Sequence, residues 1–420
     1  MKIPMKIILR FFAAVLLLSV LGCAPQLTRN ADKNAYTPLI LISIDGYRAD
    51  YLQRGLSPTL TALAADGVRA EALRPAFPSL TFPNHYTLVT GLNPDHHGIV
   101  NNRMINPVSG ARFVYKEPAT TADPNWWGGE PIWVSVEKNG QHAATMFWPG
   151  SDVAIKNTRP SYWRAFDGKI TPDERVDQVL QWLDLPADQR PVFLTLYFDQ
   201  VDHGGHDFGP DSAEVNAAIA LVDTALQRLV QGLKQRGLDQ RANLVIVSDH
   251  GMTSAGRDRV VVLNDLVNVD NITVESAGIL AGLAPKPGHE KEVENALLKP
   301  QAHMQCWKKT NVPIRLHYGT NPRIPEILCL ANEGWLIGTQ DVIDDPKHHF
   351  SLGEHGYDND LPSMRALFIA HGSAFKHGLV VPEFDNVDVY PMLMRVLGIT
   401  AQPNDGNART TTSMLRVANH

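Results

Sequence analysis

Leu39-Ile40-Leu41-Ile42-Ser43-Ile44-Asp45-Gly46 decides the fold. A short, almost uninterrupted apolar run that ends on an acid and a glycine describes a strand buried on both faces, followed by a polar turn. The pattern recurs. Val192 to Phe198 ends in Asp199 and leads to Asp202 and His206, while Leu244 to Val247 ends in Ser248, Asp249 and His250. Ala143 to Phe147 and Ala366 to Ile369 are further buried-strand candidates. Between them, helical spacing covers 131–139, 172–184, 211–236 and 386–397, and Ser57-Pro58 opens a helix through Ala65. Such alternation predicts an α/β fold with a mainly parallel sheet and helices on both faces. In open parallel sheets, ligands bind at the carboxyl ends of the strands. Here those ends carry acids and imidazoles.

Residues 255–350 are patterned more weakly, with recurring Pro and Gly. Asn271 to Val274 and Ile327 to Leu330 read as half-buried strands, so this segment is expected to be a small inserted α+β subdomain. The remainder of 37–420 is expected to be one catalytic domain. At the other end, Lys2, Lys6 and Arg10 precede a short apolar run, Phe11 to Leu21, that fits a secretory leader over 1–22. Gly22-Cys23 resembles a bacterial lipobox. Either Cys23 carries a lipid anchor or a plain leader is cut nearby; both readings export the chain, to the periplasm or the outer membrane. Residues 23–36 then form a polar tether. Cys306 and Cys329 remain, compatible with one disulfide or with two buried thiols. Lys plus Arg total 38 against 44 Asp plus Glu, a net charge of −6 with no basic block, which argues against duplex nucleic acid as a partner. Oligomeric state has no signature.

Asp45, Asp202, His206, Asp249, His250 and His355 offer carboxylate and imidazole donors without thiolate, a set that suits Zn²⁺ or Mn²⁺ better than Ca²⁺ or Cu(I). They are too many for one catalytic zinc and about right for two metals sharing a substrate. Without cations the clustered acids would repel one another. Asp202 and His206 fall in a stretch read as a glycine-containing loop. The nucleophile candidate is Thr81, in Pro78-Ser79-Leu80-Thr81-Phe82-Pro83-Asn84-His85-Tyr86. Pro83 is expected to open a helix to about Thr90, with Thr81 at its positive end, either as a nucleophile or simply as an N-cap.

Ile44-Asp45-Gly46-Tyr47-Arg48, Thr81 to Tyr86, Asn101-Asn102, Phe147 to Asp152, Ser248-Asp249-His250-Gly251-Met252 and Gly353 to Asn359 occur in this order. The ordered set resembles the nucleotide pyrophosphatase/phosphodiesterase family of the alkaline phosphatase superfamily, in a bacterial member. The resemblance implies an alkaline phosphatase-like fold and two Zn²⁺ per chain. One would be held by Asp202, His206 and His355. The other would be held by Asp45, Asp249 and His250, with Thr81 as nucleophile on the same ion. Asn102 would hydrogen-bond a phosphate oxygen. Phe82 and Tyr197 would sandwich a nucleobase, with Phe166 and Trp148 lining the same pocket. The substrate would be a nucleotide or nucleotide ester.

Leu80 stands where many animal members carry Lys, and His203 is an extra histidine read as a solvated loop residue. His85, His96 and His97 are read as packing or loop histidines. Competing readings are a choline-lipid phosphodiesterase, a phosphomonoesterase, or a non-catalytic zinc- or nucleotide-binding lipoprotein. A sulfatase is disfavoured, because Thr81-Phe82-Pro83-Asn84-His85 lacks the expected Arg.

Overall fold

Every side chain of β1 (Leu39–Ile44) is buried, and each large aliphatic group there contributes about 1.5–3 kcal/mol of hydrophobic stabilisation. The computed structural model describes residues 36–416. The expected leader, Cys23 and all but the last residue of the tether lie outside the described residues. After β1 come β2 (Val68–Ala70), β3 (His142–Met146), β4 (Tyr162–Arg164), β5 (Pro191–Phe198) and β6 (Asn243–Val247). The chain then builds β7 (Ile272–Ser276), β8 (Leu280–Pro285), β9 (Met304–Lys308) and β10 (Ile327–Ala331), and returns with β11 (Phe368–His371) and β12 (Leu379–Val381).

The main sheet has eight strands in the order β12-β2-β11-β6-β1-β5-β3-β4. Only β11 runs against its neighbours. The molecule is thus a mainly parallel α/β fold, as the sequence pattern predicts. Register sets the site: Ile44 lies opposite Phe198 and Ser43 opposite Val247, so β5, β1 and β6 end nearly level. The helices include α1 (Pro58–Asp66), α2 (Thr81–Thr90), α3 (Ile132–Lys138), α4 (Pro172–Leu183), α5 (Gln200–Phe208), α6 (Ala213–Gln235), α7 (Glu290–Leu297) and α8 (Val389–Leu397). Local signals explain several starts. A reciprocal Thr171–Glu174 capping box opens α4, and the Ser212 hydroxyl caps α6. Among the described residues no helix is long and apolar enough to cross a membrane.

Two strand ends differ from the sequence expectation. β3 stops at Met146 because Phe147 turns left-handed, with φ of 61°. Ala366 does not begin β11; it bridges to Arg48 and Leu73 instead. The inserted segment is a four-stranded antiparallel sheet, β7-β8-β10-β9, with α7. It shares the hydrophobic core with the main body, and polar contacts add to that tie. Asp95 accepts the backbone N–H groups of Gly319, Thr320 and Asn321 at 3.1, 2.9 and 2.8 Å, and Tyr318 donates its hydroxyl hydrogen to Val100 O at 2.9 Å.

Cys306 and Cys329 are register partners on β9 and β10 and form a disulfide across a sequence separation of 23. Closing a loop of that length restricts the unfolded chain by about 3 kcal/mol. The Cys306→Ser/Cys329→Ser double variant is expected to lose about that much unfolding free energy in urea titrations while keeping its native circular dichroism.

Candidate metal centre

α5 follows β5 directly and carries Asp202 and His206 four residues apart on one helical face. The sequence pattern suggested a loop, because Gly204 and Gly205 lower helix propensity. Packing overrides propensity: α5 lies against α6 and passes so close to Met252 that a Cβ on Gly205 would meet its Cε at 2.8 Å and push that side chain aside. Helix α2 also begins earlier than expected, at Thr81 instead of Pro83, with Leu80 as N-cap. Thr81 is therefore the first helical residue and not the cap. His355 follows a two-residue strand, Gly353–Glu354, that pairs with Thr253–Ser254 just beyond Asp249 and His250.

The histidines are oriented by main chain. His206 Nδ1 donates to Gly353 O at 2.8 Å, His250 Nδ1 to Gly251 O at 2.9 Å, and His355 Nδ1 to Ser79 O at 2.9 Å. A carbonyl only accepts, so each Nδ1 carries a proton, and the neutral form of each ring has its lone pair on Nε2. Those Nε2 atoms converge on the acids. His206 and His355 lie 3.5 and 3.6 Å from Asp202 Oδ1. His250 lies 3.3 Å from Asp45 Oδ1 and 3.0 Å from Asp249 Oδ2.

Donor atoms within 4.8 Å of one another come from Asp202, His206 and His355; from Asp45, Asp202 and His250; and from Asp45, His85 and Asp249. All the expected ligands thus meet in one place. Asp45 Oδ1, Asp202 Oδ1 and Asp249 Oδ2 are buried without a hydrogen-bond partner. Burial, and then the charges of Asp249 and Asp202, push the Asp45 carboxyl well above its usual range. Burial would do the same to Asp249 and Asp202, but neighbouring histidines hold both below it. Burial and the nearby His250 push His355 down to about 3. Three acids with orphaned oxygens, beside imidazoles, are groups able to hold a cation.

Thr81 Oγ1 lies 3.2 Å from His250 Nε2, at the start of α2. Asn102 Oδ1 accepts the Phe82 N–H at 3.1 Å, so its amide NH₂ is the end left to donate. Tyr197 donates its hydroxyl hydrogen to Asp45 Oδ2 at 2.5 Å, and its ring meets Phe166, 55% exposed, at 6.0 Å. Phe82 sits apart from that pair, among Phe113, Tyr115 and Trp127. Trp148 is only 5% exposed and donates its indole N–H to His85 O, which places it behind the site. His97 is a packing residue held by Thr87, and exposed His96 pairs with Asp405. His203 is on α5 rather than in a loop, 3.1 Å from Asp199.

Two residues escaped the sequence reading, which took His85 for a packing or loop histidine and did not name Arg175. His85 belongs to the cluster, and the signal for it was its position one helical turn beyond Thr81. Arg175 left no signal: on α4, far away in sequence, it is fully buried, bonds Asp199 at 2.6 Å and fixes the start of α5. Burial raises the Asp199 pKa, but His203 and Arg175 together hold it below the usual carboxylate range.

The family model described as type I phosphodiesterase / nucleotide pyrophosphatase matches residues 39–358. An uncharacterized pyrophosphatase/phosphodiesterase of Schizosaccharomyces pombe is 40% identical over 379 residues, which cover 88% of this chain and 78% of that protein. Ectonucleotide pyrophosphatase/phosphodiesterase family member 3 of Bos taurus is 38% identical over 90% of this chain, which spans only 44% of that longer protein. Among solved structures, murine ectonucleotide pyrophosphatase/phosphodiesterase 5 has a TM-score of 0.85 at 33% identity, covering 90% of this chain and 100% of the other. That structure is an inactive threonine-to-alanine variant in complex with AMP.

Removing one partner of a buried ion pair strands the other, so Arg175→Met is expected to cost about 3–5 kcal/mol in denaturant unfolding. A carboxyl held low in the folded state stabilises above its unfolded pKa and stops doing so as pH falls through its folded value. Wild-type unfolding free energy is therefore expected to decline as pH drops below about 4, and Asp199→Asn to flatten part of that decline.

Proposed function

We propose that this chain, which belongs to the type I phosphodiesterase / nucleotide pyrophosphatase family, is an exported bacterial enzyme using two zinc ions. On this reading it hydrolyses nucleotide phosphodiester or pyrophosphate bonds and releases nucleoside 5′-monophosphates through a covalent nucleotidyl-threonine. Residues 37–420 are its single catalytic domain, and the leader and Cys23 put it in the periplasm or on the outer membrane. The observation that carries the reading is Thr81 Oγ1 at the first residue of α2, 3.2 Å from His250 Nε2, beside three buried carboxylate oxygens without partners.

The donors fit the metals. Asp202, His206 and His355 would hold one ion, and Asp45, Asp249 and His250 the other, with Thr81 beside the second. Bound there, zinc neutralises the clustered carboxylates, lowers the threonine hydroxyl pKa and draws charge from the phosphate. The chain's own groups do the rest. The N-terminal turn of α2 presents Thr81 with the helix dipole favouring negative charge at its oxygen. Thr81 Oγ forms a bond to phosphorus as the bond to the leaving group breaks in line, and Asn102 Nδ2 donates to a non-bridging oxygen. Water then attacks phosphorus from the vacated side and Thr81 Oγ leaves. Two inversions give net retention at phosphorus. Phe82 on one side and Tyr197 with Phe166 on the other flank the nucleobase, which suits aromatic stacking. The AMP complex of the murine relative and its inactivating threonine change support this assignment.

The test uses zinc-loaded mature protein and Thr81→Ala with p-nitrophenyl thymidine 5′-monophosphate and p-nitrophenyl phosphate. Wild type is expected to turn over the diester far faster than the monoester. Thr81→Ala is expected to lose at least about 10³-fold in kcat, and chelator treatment to abolish activity until zinc is restored. Full activity in Thr81→Ala would exclude the threonine as nucleophile, and a preference for the monoester would exclude the diesterase reading.

A further inference from the structure

His85 lies one helical turn beyond Thr81 on α2, with its side chain wholly buried. Its Nδ1 is 2.9 Å from Thr81 O. A carbonyl oxygen cannot donate, so Nδ1 carries a proton. The same nitrogen is 3.3 Å from Asp249 Oδ2. On the opposite edge, Nε2 meets the hydroxyl of Ser43 on β1 at 2.8 Å. The ring is clamped edge-to-face by Trp148 and Tyr197, with centroids at 5.0 and 5.2 Å, and the Trp148 indole N–H holds the His85 carbonyl at 3.0 Å.

From this geometry we infer that His85 is a positioning residue for the nucleophile, an inference that rests on the phosphodiesterase reading above. Its Nδ1–H bonds the carbonyl of Thr81 and faces the Asp249 carboxylate, so one proton couples the first turn of α2 to a metal-ligating acid. Ser43 anchors the far side of the ring to the central strand, and the hydroxyl of Thr81 is thereby held in register with the ends of β1 and β6. His85, Asp45 and Asp249 are close enough to share an ion, but the ring nitrogen nearest those acids is the protonated one. Its lone pair is unavailable, and the other nitrogen is committed to Ser43. Within the cluster His85 therefore acts through Thr81 and Asp249 and not as a ligand.

Two replacements separate the roles. Asn at this position carries an NH₂ group near where histidine has Nδ1, while Leu fills the space with no donor. In the diester assay, kcat of His85→Leu is expected to fall on the order of 10–100-fold with KM changed less than about twofold. His85→Asn is expected to recover most of that loss. Both are expected to bind the same number of zinc equivalents as wild type in competition with a chromophoric chelator. ¹⁵N-histidine spectra of the wild type are expected to show His85 protonated at Nδ1. Loss of one zinc equivalent in His85→Leu would make His85 a ligand and overturn the inference. So would an unprotonated Nδ1, or unchanged kcat in a His85→Leu protein that melts at lower temperature, which would make the ring packing alone. A wild type inactive on the diester would instead defeat the phosphodiesterase reading. The Nδ1 protonation state and zinc count would still decide whether His85 is tied to Thr81 or to an ion.

Discussion

Asp45, Asp202 and Asp249 stand at the ends of three adjacent strands or one turn beyond, buried and facing one another. Unscreened carboxylates at such distances repel strongly in a low-dielectric interior, and most of the surrounding architecture answers that repulsion. The acids are gathered because β5, β1 and β6 are parallel and end level. Histidines arrive from three different directions, α5, the turn after β6 and the segment after β10, each turned by a main-chain acceptor so that its unprotonated edge faces the acids. What the protein leaves open is a set of oxygen and nitrogen lone pairs of the kind that hold cations.

A further layer holds those ligands still. Tyr197 grips Asp45, the Arg175–Asp199 pair fixes the start of α5, and His85 spans from Ser43 to Thr81. Each comes from an element that also belongs to the hydrophobic core, so the precision of the site is inherited from packing. Helix α2 serves both purposes: its first turn offers Thr81, its next turn offers His85, and Tyr86, Leu88 and Val89 are buried in the hydrophobic core. The inserted antiparallel sheet is fastened through Asp95 and Tyr318 to the loops just after α2.

Much of this was legible beforehand. The apolar runs ending in Asp45, Asp199 and Asp249 announced buried parallel strands, because a strand covered on both faces has no reason to alternate. Acids at their carboxyl ends announced the site. Ser57-Pro58 and the helical spacing over 172–184 and 211–236 announced helices. The misreadings share one cause. Gly204 and Gly205 signal a loop when propensity is weighed alone, yet α5 forms because it packs along α6, with Gly205 passing close to Met252. His85 read as a packing histidine, since nothing in a linear sequence says that Asp249 will lie 3.3 Å away.

The sequence by itself determined the fold class, the strand ends that carry chemistry, and the kinds of donor gathered there. Those follow from local periodicity and from residue type, which neighbours in the chain are enough to express. Only the tertiary structure decided which oxygens are left without partners, which imidazole nitrogen bears the proton, and that Arg175 and His85 belong to the site. These depend on distances between segments as many as 276 residues apart, as in the bond from His355 to Ser79. Such distances are set by sheet register and by close packing, and neither exists until the chain has folded.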